Sequence, residues 1–277
     1  PYLGGEEVNT SPTQDFDRYV INFGDMSLEE ASRWPDLLDI VREKVKPERA
    51  RQADKGGREF WWRFLRPRGE LQRALAGLDR CLVIARDPKH FCFSYQPTNR
   101  VFTEKLFALP LVSGTAFAVL SSRIHILWAL FQGRTTGGAG TPSYSSSECF
   151  ETFPFPQPDP RSTIASLEGL GNSLCASRAE YMQRTEQGLT QTYNKLKDAG
   201  CHDEAIVALR ALHLDLDRAV LTAYGWDDLH SLVPPYTTPT TDADKLALAA
   251  FEDAVIDRLF ALNATRAETR GFEVPRP

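Results

Sequence analysis

Hydrophobic positions change their spacing along this chain, and the changes divide it into regions. Leu38, Val41 and Val45 recur three and four apart, the spacing that gathers apolar side chains on one face of a helix. Upstream, Ser27-Leu28-Glu29-Glu30 is a capping box, in which serine and glutamate satisfy free backbone amides, so a helix is predicted to start there. Pro35 breaks or restarts it, because proline has no amide donor and its ring clashes with the preceding turn. Residues 46–70 are basic, carry Trp61 and Trp62, and are expected to form a second helix. Cys81-Leu82-Val83-Ile84-Ala85 is a short apolar run that reads as a buried strand. Phe91, Phe93 and Tyr95 alternate with Cys92 and Ser94, which predicts a strand with one covered face. Residues 101–108 give a third strand, ended by Pro110. Phe117, Leu120, Ile124, Leu127 and Phe131 then form the clearest helical stripe of the chain.

A glycine- and hydroxyl-rich stretch, Gly133 to Ser145, follows that stripe directly, and Phe153-Pro154-Phe155-Pro156 closes it. Such a loop on a rigid support can approach a partner closely. Pro154, Pro156, Pro158 and Pro160 predict a stiff linker and a domain boundary. Beyond it the spacing is helical: Ile206, Leu209, Leu216 and Val220 form one stripe, and Leu248, Phe251, Val255, Leu259 and Leu262 another. The expected class is α+β, with a mixed α/β domain over residues 1–157 and an all-helical domain over 158–277.

Charge sharpens this division. Residues 42–89 hold 14 Lys/Arg against 7 Asp/Glu, whereas residues 158–277 hold 12 against 18. A basic segment in a chain of net charge −5 suits contact with a polyanion, although a solvated helix face gives the same count. The five cysteines form no Cys-x-x-Cys pair, so reduced thiols are expected rather than a disulfide framework or zinc site. No apolar run nears the ~20 residues of a membrane helix and no secretory leader opens the chain, so a cytoplasmic protein without a membrane partner is expected. The first residue is Pro1, which suggests a piece of a longer polypeptide.

Several catalytic signatures are missing from the sequence. It contains no Asn/Asp-Pro-Pro-aromatic tetrapeptide and no Phe-x-Gly-x-Gly loop for S-adenosylmethionine. Gly137-Gly138-Ala139-Gly140 lacks the Gly-Lys-Ser/Thr ending of a phosphate loop. Asp36, Glu43 and Lys44 bear a passing likeness to a metal-dependent nuclease motif, but their spacing is helical and reads as a solvated face. His125, in the apolar helix, is expected to be structural, and His213 with Asp217 reads as a packing pair. Phe91, Phe93 and Tyr95 could stack on bases but fit a strand's core face better. Arg58, Arg63, Arg66, Arg68, Arg73, Arg80 and Arg86 cluster around the tryptophan pair, and Arg123 and Arg134 flank the apolar helix. Arginine is favoured where phosphate or guanine is recognised by a planar fork of donors.

Ordered stretches carry a resemblance. Pro1-Tyr2-Leu3-Gly4-Gly5-Glu6-Glu7, Arg18 to Met26, Val45-Lys46-Pro47-Glu48-Arg49, Leu82-Val83-Ile84-Ala85-Arg86, Ser122-Arg123-Ile124-His125 and the Gly133-Arg134 … Tyr144-Ser145 … Phe153 to Pro156 string are similar to the specificity region of MmeI-like restriction–modification enzymes. Leu209 to His213 and Asp217 to Trp226 resemble that family's helical tail. The resemblance implies a target recognition domain for double-stranded DNA, non-catalytic by itself. It would serve an attached adenine-N6 methyltransferase that uses S-adenosylmethionine, and Mg²⁺ where a nuclease is also present. It implies base-reading positions at Thr136, Gly138 and Ser143, with Thr135, Thr141 and Tyr144 beside them. Family members often carry charged side chains there, whereas this chain has glycines and hydroxyls.

On chemical grounds Arg134 suits guanine and the threonine methyls suit thymine, while Arg58, Arg63, Arg66, Arg68, Arg86 and Arg123 would hold phosphates and set register. Two other readings stand beside this one. One is a protein-interaction module with an ordinary basic surface; the other, ranked lower, is a free-standing nuclease using Asp36 and Glu43. A basic patch continuous with the 134–144 loop would favour DNA over the interaction module.

Overall fold

The structure is a computed structural model, and it describes residues 1–136 and 141–269. It opens with a short strand β1 (Tyr2–Leu3) and helix α1 (Gly5–Thr10). Ser27 then caps α2 (Leu28–Ala31) through both bonds of the predicted capping box, and Pro35 occupies the first turn of α3 (Pro35–Lys44), where its missing amide costs nothing. Leu38 and Val41 are buried beneath α3.

The second helix expected over residues 46–70 is instead two single-turn pieces, α4 (Lys46–Ala50) and α5 (Lys55–Glu59), followed by turns. Asp54 stops the helix from running on: its carboxylate caps Gly57 and starts a new turn, and the Gly56-Gly57 pair lowers the gain from continuing the helix. The basic charges are thereby spread over several short segments. A separate small core of Phe23, Ala31, Leu38, Val41 and Trp61 holds this region together. Trp62 Nε1 and Arg63 Nε both donate to Met26 O at 2.9 Å, fastening its two ends.

Helix α6 (Gly69–Leu75) leads into β2 (Arg80–Ala85), the central strand of an antiparallel sheet ordered β3-β2-β5, with β3 at Ser94–Pro97 and β5 at Leu106–Leu109. Leu82 lies opposite both Tyr95 and Leu109. Cys81 to Ala85 are all buried, as an unbroken apolar run demands of a strand covered on both faces. Phe91 and Phe93 precede β3 and lie in the core. The expected third strand is divided into β4 (Val101–Phe102), which pairs in parallel with β1, and β5. A turn at Glu104-Lys105 lets one segment serve two sheets.

The long apolar stripe is likewise two helices, α7 (Gly114–Ser121) and α8 (Arg123–Gln132), bent by 57° at Ser122. Ser122 turns its hydroxyl to cap α8 and takes an extended backbone, a use of serine that competes with helix continuation. The pair is the bent apolar segment of the fold; no single described helix is long and apolar enough to cross a membrane.

The second half is helical, as its spacing predicts: α9 (Ala165–Thr185), α10 (Leu189–Lys197), α11 (Glu204–Ala223) and α12 (Asp242–Thr269). It shares one hydrophobic core with the first half, running from Leu3 to Leu259. The backbones of α7 and α9 touch, since a Cβ at Gly171 would lie 2.0 Å from Gly114 O. Glu168 of α9 accepts hydrogen bonds from the first amides of α7, at Gly114 and Thr115, both at 2.8 Å. The proline-rich stretch between the halves is packed rather than free: Phe153 and Phe155 are buried, and Arg266 donates to Phe155 O at 2.6 Å.

Candidate nucleic-acid interface

Helix α8 delivers the chain into a two-stranded antiparallel ribbon, β6 (Arg134–Thr136) and β7 (Thr141–Ser143), in which Arg134 pairs with Ser143 and Thr136 with Thr141. Gly133 is required where the helix meets the ribbon, because a Cβ there would stand 2.5 Å from Ala129 O and 2.9 Å from Ser143 O. Among the predicted base-reading positions, Arg134, Thr135, Thr136, Thr141 and Ser143 therefore share one ribbon. Gly138 lies outside the described residues.

Tyr144 is corrected by the structure. It is 1% exposed and turned inward, with its hydroxyl 3.1 Å from His125 Nε2 and its ring edge-on to Phe91 and Phe93. A phenol so enclosed cannot reach a base edge. It anchors the ribbon to the core, and burial pushes its hydroxyl well above the ordinary tyrosine range. Burial also pushes His125 down to about 3, which keeps the imidazole neutral against the phenol. The sequence already gave His125 a structural role. The aromatic row Phe91 and Phe93 is core, as its strand reading preferred, and serves as the seat for Tyr144.

Arg123 needs the same correction. Its side chain is 8% exposed, its Nε lies 2.6 Å from the fully buried Asp217, and its remaining donors reach Pro234 O and Pro235 O at 2.8 and 3.2 Å. Each of its three nitrogens is engaged by α11 or the loop after it, so it joins the two halves instead of holding phosphate. His213 and Asp217 are both buried one turn apart on α11, Asp217 taking Arg123 while His213 Nε2 meets Tyr193 OH at 3.2 Å.

The other predicted phosphate-binding arginines lie on the surface in two groups. Arg58 is exposed on α5, and Arg63 is half-buried, stacked over Phe60 and Trp62. Arg66, Arg68 and Arg86 line one cleft of about 1060 Å³, together with Arg49 and Arg100. Arg100 is engaged by Asp15; Glu104 is the acidic member of the lining. Arg86 also joins cleft to ribbon, since its carbonyl accepts a 2.7 Å hydrogen bond from Tyr144 N. The residue after β2 thus touches the base of the ribbon. The sequence reading passed over Arg49 as a site residue, although it closes the Val45-Lys46-Pro47-Glu48-Arg49 stretch.

Asp36 and Glu43 are exposed along α3, and among the described residues no three His, Cys, Asp or Glu side chains are arranged to hold a metal ion. The five cysteines are free thiols, three of them buried, and burial pushes Cys81 and Cys92 up to about 12. What the arrangement offers is a thin ribbon flanked by fixed positive charge.

Comparison with known proteins agrees with this geometry. No curated protein matches the chain. A solved structure described as the Type IIL restriction-modification enzyme MmeI in complex with DNA matches with a TM-score of 0.62 at 19% identity, over 96% of this chain and 31% of that one. The likeness in fold therefore runs through both halves, while the chain spans about a third of that protein's length. The family model for the MmeI target recognition domain matches residues 1–157, which contain the sheet, the arginine cleft and the ribbon; the chain belongs to the MmeI target recognition domain family.

Proposed function

We propose that this chain reads the sequence of double-stranded DNA on behalf of an attached catalytic region and is itself non-catalytic. The observation that carries the proposal is the family membership of residues 1–157, whose ribbon abuts a cleft carrying Arg66, Arg68 and Arg86. A two-stranded ribbon is narrow enough to enter a major groove, where each base pair presents a distinct donor–acceptor pattern. Arg134, Thr135, Thr136, Thr141 and Ser143 supply the reading side chains in this account, together with Gly138. Arg66, Arg68 and Arg86, and more remotely Arg58 and Arg63, hold phosphates and set register. The attached region would be an adenine-N6 methyltransferase, with or without a nuclease. It would bring S-adenosylmethionine, and Mg²⁺ in the nuclease case, with this chain's residues binding and orienting the duplex.

A second reading is favoured by one observation. Trp34, Leu37 and Ile40 are exposed along α3, a stripe that a protein surface could cover, as the interaction-module reading requires.

Selection of duplexes from a random pool at two salt concentrations, with wild-type chain and with Arg134→Ala, separates the readings. Sequence recognition gives salt-sensitive binding and an enriched motif that Arg134→Ala relaxes at one position. Absence of binding at low salt would favour the interaction module.

A further inference from the structure

Of the five arginines that line the cleft, Arg100 is neutralised by Asp15. Among the described residues, Arg49, Arg66, Arg68 and Arg86 make no ion pair, although they converge on one concavity. Arg49 Nη1 is buried without a hydrogen-bond partner, which leaves one donor of that guanidinium unsatisfied. Arg68 is held at φ 52°, in the left-handed region, while its Nη1 reaches Thr103 O at 3.3 Å. A non-glycine residue in that region is strained, and such strain gathers where a side chain must be aimed.

Below this charged rim the cleft is apolar, lined by Phe64, Leu71, Leu75, Leu78 and Phe102. The rim and the floor call for different things from a ligand. A phosphate of a stacked duplex satisfies the arginines but has no apolar face to offer, because each base is covered by its neighbours. A ligand that satisfies both must join an anion to an uncovered planar ring. We infer that the cleft binds a single unstacked nucleotide, its phosphate among the four arginines and its base against the Phe64–Leu71 floor. Base–apolar and base–aromatic contact of this kind is tolerant of sequence, so the cleft adds affinity where the ribbon adds selectivity. The inference extends the DNA-reading proposal, which supplies the nucleic acid, but the cleft's chemistry can be tested apart from it.

Binding is measured with the full chain for a fully paired duplex, for the same duplex carrying one unpaired nucleotide, and for deoxyadenosine monophosphate. Wild-type chain is compared with Arg49→Gln and Phe64→Ala; Leu71→Gln replaces Phe64→Ala if the latter does not keep the wild-type unfolding temperature. The unpaired nucleotide is expected to tighten binding about tenfold. The floor variant should abolish that gain while leaving the paired duplex unaffected, and Arg49→Gln should reduce it. Mononucleotide binding that depends on the floor residue, without any gain on the duplex, also supports the cleft and identifies a free nucleotide as its source. Equal affinity for both duplexes together with no mononucleotide binding overturns the inference and leaves the duplex-reading proposal standing. If the mononucleotide binds and neither duplex does, the duplex-reading proposal fails and the cleft remains.

Discussion

Arginine serves different ends in this chain, and the surroundings of each guanidinium decide which. Arg123 and Arg66 are indistinguishable as letters, yet one is enclosed with Asp217 and two carbonyls and the other lies open in a cleft. Arg123→Ala leaves the Asp217 charge buried without its partner, and the expected loss is about 3–5 kcal/mol of stability, read from denaturant unfolding. Arg66→Gln is expected to leave stability within about 0.5 kcal/mol of wild type. It should weaken duplex binding by a similar factor for every sequence and make the slope of log affinity against log salt shallower by about one. Tyr144 belongs with Arg123: Tyr144→Phe strands His125 Nε2 and is expected to cost about 1–3 kcal/mol in thermal or denaturant unfolding. The resemblance marked Tyr144 only as a neighbour of reading positions. Its burial depends on Phe91 and Phe93 being brought beneath it from some fifty residues away, which no local pattern records.

The ribbon concentrates the consequences of substitution at the level of elements. Thr136 and Ser143 lie on its two strands. Exchanging them for Asn or Arg should change the enriched duplex motif with little change in unfolding temperature. Gly133→Ala should do the opposite, because its methyl would collide with Ala129 O and Ser143 O; the expected result is a lowered melting temperature and a blurred motif, measured on the same preparation. Element types were legible wherever the spacing ran long, as in α3, β2, α11 and α12. Boundaries were lost where one polar residue had two competing uses. Ser122 caps α8 instead of continuing α7, and Asp54 with Gly56-Gly57 restarts the helix expected over residues 46–70. At Ser122 the apolar stripe is compatible with a bend, so periodicity cannot report one.

Across the whole molecule the two halves behave as one packed body, joined by Arg123–Asp217, by Glu168 at the start of α7 and by Arg178 donating to Phe93 O at 2.6 Å. Two neutral histidines lie within that shared core. Burial lowers both His125, to about 3, and His213 from the ordinary 6.5. A lowered folded-state value means that their contribution is present above pH 6.5 and is lost as the pH falls toward 3. Unfolding free energy should therefore decline below pH 6.5 by up to about 1.4 kcal/mol per pH unit for each histidine. A pH series of denaturant melts checks this, and His125→Gln should make the decline shallower.

The sequence by itself determined the class of fold, the helical nature of the second half, the buried central strand and the family, because each is written in local spacing or in ordered short stretches. It also marked the ribbon as the part to watch, since glycine and hydroxyl residues after an apolar helix are a local signal. Only the tertiary structure decided which arginines face solvent, that Arg49 joins Arg66, Arg68 and Arg86 around one cleft, and that Tyr144 and Arg123 turn inward. It also packed the proline stretch as a seam within one core. The physical reason is common to all of these: a side chain's exposure depends on the partners brought against it from distant segments, and the desolvation of a charge or a phenol is settled by those partners and not by its neighbours in sequence.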